Sequence, residues 1–270
     1  MKIRNHLAVL FFATACVAAC TKNKDERPNA GTHCRISKAY LYEGTATNPF
    51  TETIVYTYTD TNLTTITGTD FHFDFAYAGG RIIRRDYVQN YGALVIRRYD
   101  IISYTNDGMV SKIDSYAQEG DTTKQGRRYD FSYASGKLAT FTYTRYTAEG
   151  VASAYSDIHF YSYTNNNITK DSLVINDPDV PRSSLYYYTH DTGENLFAKN
   201  GVNTLLSSPV FMQPDGTMLP FFFSAGNVTG FGGAQAEEKT SYSYSTDSNK
   251  NLIQVNEDGK PVTGWDYQCR

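Results

Sequence analysis

Tryptophan is nearly missing from this 270-residue chain, which has one, beside four methionines, five histidines, eight prolines and four cysteines. The sequence holds no HExxH helix, P-loop, dinucleotide fingerprint or G-x-S-x-G elbow, so the specific catalytic signatures are missing. A formal net charge of -3 excludes a broadly basic nucleic-acid binder. Convincing helical stretches are absent as well. What is abundant is 23 Tyr and 15 Phe, an aromatic enrichment that favours strands over helices. With 40% hydrophobic and 20% charged residues, a packed core is expected and wholesale disorder is not. The length suits one large β domain or two small ones.

The N-terminus reads as an address. Lys2 and Arg4 precede an apolar stretch from Leu7 to Ala19, too short for a mature transmembrane helix and shaped like a secretory signal. It ends in Val17-Ala18-Ala19-Cys20, which resembles the lipobox of bacterial lipoproteins. The resemblance implies cleavage after residue 19, a diacylglycerol on Cys20, and attachment to the outer membrane as a lipoprotein. Loss of residues 1–19 removes Lys2 and Arg4, and takes the formal charge from -3 to -5. Thr21 replaces the Asp that often retains lipoproteins in the inner membrane. Lys24-Asp25-Glu26 looks like a short export tag of surface-exposed lipoproteins in some gut anaerobes. Residues 20–32 also read as a charged tether, so either leaflet remains open. Cys16 leaves with the signal, and Cys34 and Cys269 are then expected to form a disulfide in an oxidising compartment.

Residues 33–270 read as a single β domain. Phe71, Phe73, Phe75 and Tyr77 alternate with His72, Asp74 and Ala76, and Ala139, Phe141 and Tyr143 alternate with threonines. Such alternation marks antiparallel strands with one packed and one wet face. Gly79-Gly80, Asp107-Gly108 and Ser135-Gly136 supply the positive φ of tight hairpin turns. Tyr186 to Tyr188 and Tyr242-Ser243-Tyr244 begin weaker copies. At the two ends, Ile36, Tyr40 and Tyr42 are spaced evenly beyond Cys34, and Trp265, Tyr267 and Cys269 share one face. The expected fold is an all-β antiparallel meander of Tyr-rich hairpins, forming a strongly curved sheet or a partly closed barrel-like structure that does not span the membrane. A membrane barrel also alternates. Arg84-Arg85, Arg97-Arg98 and Arg127-Arg128, however, each put one Arg on each face of a strand, and a lipid-facing Arg near the midplane costs about 2–4 kcal/mol.

Residues 189–238 break the rhythm with Pro209, Pro214, Pro220 and seven glycines, and read as a loop-rich insertion. Within it, Leu219-Pro220-Phe221-Phe222-Phe223 reads as a plug over an open sheet end or as the lining of a ligand pocket. The hairpin theme, the segment from Asn195-Leu196-Phe197 through Phe221-Phe222-Phe223 to Thr229, and the closing Tyr267-Gln268-Cys269 resemble uncharacterised gut-anaerobe lipoproteins. These carry a domain of unknown function described as having a porin-like fold. The hairpins are also similar to the YD repeats of Rhs-type shell proteins. The resemblance implies a curved or barrel-like sheet and no activity.

Chemistry is sparse. His72 and His159 read as strand residues opposite an aromatic face, exposed or hydrogen-bonded, without a paired nucleophile. Asp177-Pro178-Asp179 and Glu237-Glu238 suit loop turns, since the Ca²⁺-loop spacing is missing. No metal site, cofactor or catalytic residue is expected. Asp121-Thr122-Thr123 and Asp171-Ser172-Leu173 resemble an O-glycosylation motif of gut-anaerobe secreted proteins, with Thr122 or Ser172 as acceptor. Aromatic faces with interspersed Asn, Asp and Arg suit a glycan or peptide ligand. The functional expectation is a non-enzymatic binding or scaffolding module at the envelope. The alternative is a glycan-active enzyme with its acids scattered on strands.

Overall fold

The computed structural model describes residues 34–45, 48–119, 122–197, 206, 215–233 and 239–269. The stretch read as a signal, Cys20, the stretch read as a tether and Glu237-Glu238 lie outside the described residues. Sixteen strands follow one another: β1 Cys34–Thr45, β2 Asn48–Thr59, β3 Asn62–Thr67, β4 Phe71–Ala78, β5 Arg81–Tyr91, β6 Leu94–Tyr104, β7 Val110–Glu119 and β8 Thr122–Ala134. Then come β9 Lys137–Tyr146, β10 Ala152–Thr164, β11 Asn167–Asn176, β12 Arg182–His190, β13 Val228–Gly233, β14 Lys239–Thr246, β15 Leu252–Glu257 and β16 Lys260–Cys269. Each strand pairs antiparallel with its neighbours in sequence, and β16 pairs with β1, so the sheet is a fully closed barrel rather than a partly closed one. Closure removes the unpaired edges that an open sheet must protect. At the seam Cys34 faces Cys269, their Cα atoms 4.0 Å apart, and a disulfide joins them.

The turns behave as their residues require. Gly79-Gly80, Ser135-Gly136, Asn165-Asn166 and Asp258-Gly259 all hold positive φ, the conformation that matches strand twist in a two-residue hairpin. At one end of the barrel the hairpins β2–β3, β4–β5, β6–β7, β8–β9 and β10–β11 share a second device, a β-bulge just past the turn. The register slips beside Tyr58, Tyr77, Tyr104, Tyr133 and Tyr163. A bulge inserts one residue, so the buried positions that follow stand three apart rather than two: Leu63 and Ile66, Val110 and Ile113, Leu138 and Phe141. This corrects the expected face in β9, where Leu138 is buried and Ala139 is the inserted residue. A slip after Ile36 does the same in β1. Ala39 and Leu41 point inward, and Tyr40, expected on the face of Ile36, donates to Oδ2 of Asp266 on the outside at 2.5 Å.

The tyrosines at this end form a belt. Tyr77 donates to the Leu63 carbonyl at 3.0 Å, Tyr104 to Ile82 at 2.7 Å, Tyr133 to Val110 at 2.8 Å, Tyr163 to Leu138 at 3.0 Å and Tyr267 to Leu252 at 2.8 Å. Tyr244 donates likewise to Val228. Each phenol therefore ties one hairpin to the hairpin before it, which explains why the sequence repeats Tyr at that place. Burial pushes the hydroxyls of Tyr104 and Tyr163 up to about 12, so they remain protonated donors.

Tyr188 departs from the belt and donates instead to Thr217 at 2.8 Å, inside the inserted segment. That segment, expected as loop, contains a 3₁₀ turn at Gly216–Met218, one α-helical turn at Pro220–Phe223 and the barrel strand β13. Leu219, Phe221 and Phe222 are buried, and Phe197 meets Phe221, Phe222, Tyr244 and Trp265 edge to face. The stretch just after the α-helical turn is pinned to the start of β11. Ile168 N–H donates to Ser224 Oγ at 3.0 Å, and Gly226 N–H donates to Asn167 Oδ1 at 2.7 Å. The segment thus fills the barrel interior behind the tyrosine belt.

Outward positions carry charge of both signs in mid-strand. Arg84 pairs with Asp86, and Lys112 and Arg128 both pair with Asp114. Tyr99 and Tyr116 stack beside them with ring centroids 4.9 Å apart, and Arg84 lies 4.2 Å from the Tyr99 centroid. Such an exterior suits water and not hydrocarbon.

Candidate ligand-binding cup

Each adjacent Arg pair divides between the two faces. Arg84 and Arg128 stand outside, while Arg85, Arg98 and Arg127 point into the barrel. They arrive there from β5, β6 and β8 because inward positions alternate along each strand. Together with Phe73, Tyr87, Gln89, Ser115 and Tyr129 they line a cavity of about 280 Å³ beside the β5–β6 turn. The lining carries three guanidinium groups against one carboxylate, Asp100.

That carboxylate is already engaged. Oδ2 of Asp100 accepts from Arg85 Nε at 3.0 Å and from Nη2 at 2.5 Å, and both side chains are nearly sealed from solvent. Arg85 also donates to the Leu206 carbonyl at 3.0 Å, which links the floor of the cup to the inserted segment. Arg127 donates to the Tyr129 hydroxyl. Burial pushes Tyr129 up to about 12 against the lowering effect of Arg127, and burial likewise lifts Tyr87 to about 12 against Arg98 and Arg85. The phenols remain neutral donors at physiological pH.

On the far wall, β9 to β11 carry a second inward polar group. His159, expected to be exposed or hydrogen-bonded on its strand, is hydrogen-bonded to Asp171 but buried, and lies against Phe141 and Tyr161. The bulge after Ile168 sets this parity, since it turns Asp171 inward opposite Tyr161. Gly216 passes so close to the His159 ring that a Cβ there would collide with it. His72 faces outward as expected, with Nε2 3.1 Å from Asp74 Oδ1.

The other residues singled out from sequence do not converge on the cup. Phe221 and Phe222 are buried in the inserted segment and Phe223 lies 6.4 Å from the Tyr133 ring, so all three pack against the barrel wall. Thr122 is exposed at the start of β8. Ser172 is half-buried and faces outward opposite Phe160, while Asp171 before it is fully buried. Asp177 accepts from the Asp179 N–H at 2.9 Å and so shapes its own turn. Arg98, Arg127, Tyr87 and Tyr129 went unnoticed as a site. The available signal was the inward member of each Arg pair, read together with the aromatic face it shares.

No family model and no curated protein matches this chain. Among solved structures it is similar to a porin-like protein from Bacteroides uniformis, with 16% identity and a TM-score of 0.46, over 87% of this chain and 98% of that one. It is also similar to a protein of unknown function from Bacteroides fragilis, with 17% identity and a TM-score of 0.33, over 43% of this chain and 87% of that one.

Proposed function

We propose that this chain is a lipid-anchored, non-enzymatic binding module of the outer membrane, and that the cup in the barrel is its ligand site. The observation that carries the reading is a cavity of about 280 Å³ lined by aromatic and hydrogen-bonding side chains on rigid strands, within a closed barrel that is filled at its other end. Small-molecule sites are concave, largely pre-formed and lined in this way, though most are somewhat larger, at about 300–1,000 Å³. Glycoside hydrolysis uses two carboxylates across the scissile bond. The single carboxylate of the lining is consumed by Arg85, which favours binding over hydrolysis.

The anchor rests on the lipobox-like Val17-Ala18-Ala19-Cys20. Cys20→Ala should leave the chain unprocessed or release it from the membrane fraction, and normal processing with membrane retention would overturn this part. Protease shaving of intact cells then separates the leaflets. The cup is tested by presenting the full chain with glycan and peptide arrays. A Ser115→Trp variant, which fills the cavity from β7, should lose every hit that the unaltered protein shows. Hits that persist in the variant place the ligand elsewhere.

A further inference from the structure

We infer that the cup captures the end of a glycan chain: it holds the terminal sugar, and the chain leaves across the β5–β6 hairpin. This deepens the reading of the cup as a ligand site and rests on it. The shape of the cup sets the first limit. Its floor is the Arg85–Asp100 pair, tied to the Leu206 carbonyl, and it opens beside the β5–β6 turn. A cavity of about 280 Å³ that is closed at its floor admits roughly one ring. An internal unit of a polymer carries chain on both sides and needs an open groove, so only a terminal unit fits.

The walls set the second limit. Phe73 and Tyr87 stand on one side with ring centroids 4.7 Å apart, and Tyr129 stands on the other, with Tyr143 at 5.5 Å. Between them β7 contributes Ser115, the smallest side chain of the lining, which leaves room for a ring among aromatic faces. The apolar C–H face of a pyranose stacks on such rings while its hydroxyls point sideways, where Gln89, Ser115 and Arg98 offer donors and acceptors. A peptide laid in as an added strand would need an unpaired sheet edge, and the closed barrel offers none.

The mouth supplies the path for the rest of the chain. Tyr91 lines it from the end of β5 and is 55% exposed, and Leu94 and Val95 across the turn are also exposed. The turns at the belt end, such as Asp60-Thr61, Gly79-Gly80, Ser135-Gly136 and Asn165-Asn166, are small or polar, so an apolar tip is particular to the cup side. Tyr91 thus offers a second stacking face, one unit out from the terminal sugar.

The test is a glycan array printed in sets that share a core and differ only at the exposed end, probed with the full chain beside a peptide array. All bound glycans should share one terminal sugar, and that free monosaccharide should compete. Extending the terminal sugar by one further unit should weaken binding by on the order of tenfold or more. Gln89→Ala and Arg98→Gln should each weaken binding by about tenfold, and Tyr91→Ala should weaken a disaccharide more than the single sugar. Arg84→Gln, on the outer surface, should change neither, and thermal melts show whether each variant is folded. Glycan hits that tolerate extension, yet are lost in Ser115→Trp, overturn the inference while the cup stands as a ligand site. Peptide hits without glycan hits, lost in the same variant, do the same. Hits of either kind that persist in Ser115→Trp, or no hit on either array, overturn both readings.

Discussion

Nδ1 of His159 lies 2.8 Å from Oδ2 of Asp171, with the two side chains 4% and 0% exposed inside the barrel. Among the described residues Oδ1 of Asp171 accepts no hydrogen bond, so the carboxyl is held by one partner only. Burial raises its pKa, and the hydrogen bond and charge of His159 counter only part of that. The folded carboxyl thus keeps its proton to higher pH than the unfolded one. Its contribution to stability is full in acid and declines as pH rises through the folded pKa. Asp171→Asn removes that decline. Urea midpoints of wild type and variant should therefore draw together, or cross in favour of the variant, as pH rises through and above the ordinary Asp range near about 4. A gap that widens over that window would show the carboxylate, rather than the acid, to be the stabilising form. Asp171→Leu, which leaves the imidazole without this partner, should cost about 1–3 kcal/mol at neutral pH.

The Arg85–Asp100 pair gives a sharper contrast. Both groups are almost sealed from solvent, with side chains 5% and 12% exposed. Asp100→Ala takes the carboxylate from a buried guanidinium and should cost about 3–5 kcal/mol in chemical denaturation. Replacing the pair together, Arg85→Met with Asp100→Leu, should recover most of that loss. A double variant as unstable as the single one would mean that the pair matters through its link to Leu206 and not through its charge.

Removing one phenol from the belt isolates one hairpin tie. Tyr133→Phe deletes the 2.8 Å bond to Val110 and little else, and should cost about 1 kcal/mol. Tyr77 and Tyr133 lie four strands apart, so combining Tyr77→Phe with Tyr133→Phe should add within about 0.5 kcal/mol. Clear non-additivity would make the belt a cooperative ring rather than a set of separate ties.

The disulfide closes a span of 235 residues. In the chain-entropy view a link of that length stabilises by roughly 5 kcal/mol, less any native strain. Alkylation without reductant should modify neither Cys34 nor Cys269, and reduction should lower the melting temperature while the barrel remains folded. Free reaction of both thiols before reduction would contradict the bond.

Strands and tight turns were legible because alternation and positive-φ residues are local signals. Phe71, Phe73, Phe75 and Tyr77 do share the inward face, and the Gly79-Gly80 turn holds the φ it needs. The two cysteines likewise announced the seam. What alternation could not show is the bulge, which shifts parity by one without any marker residue of its own. One such slip misplaced Ala139 in β9, and another misplaced Tyr40 in β1. The one after Ile168 turned Asp171 inward opposite Tyr161, where it meets His159. The cup was hidden for a different reason. Its residues come from five strands, and each Arg pair looks the same in sequence whether its inward member meets a carboxylate, as Arg85 does, or a phenol, as Arg127 does.

Every strand pairing but one joins neighbours in the chain. Hairpins can therefore assemble in order as the polypeptide emerges, with little loop-closure entropy to overcome at each step. The exception is β1 against β16, which needs the last strand of the barrel to be present. An oxidant that reaches Cys34 early finds no correct partner, because Cys269 follows 235 residues later. The linkage that locks this barrel is thus a record of a completed barrel: a chain broken off before β16 keeps Cys34 without Cys269, a chemical mark by which it can be told from a closed one.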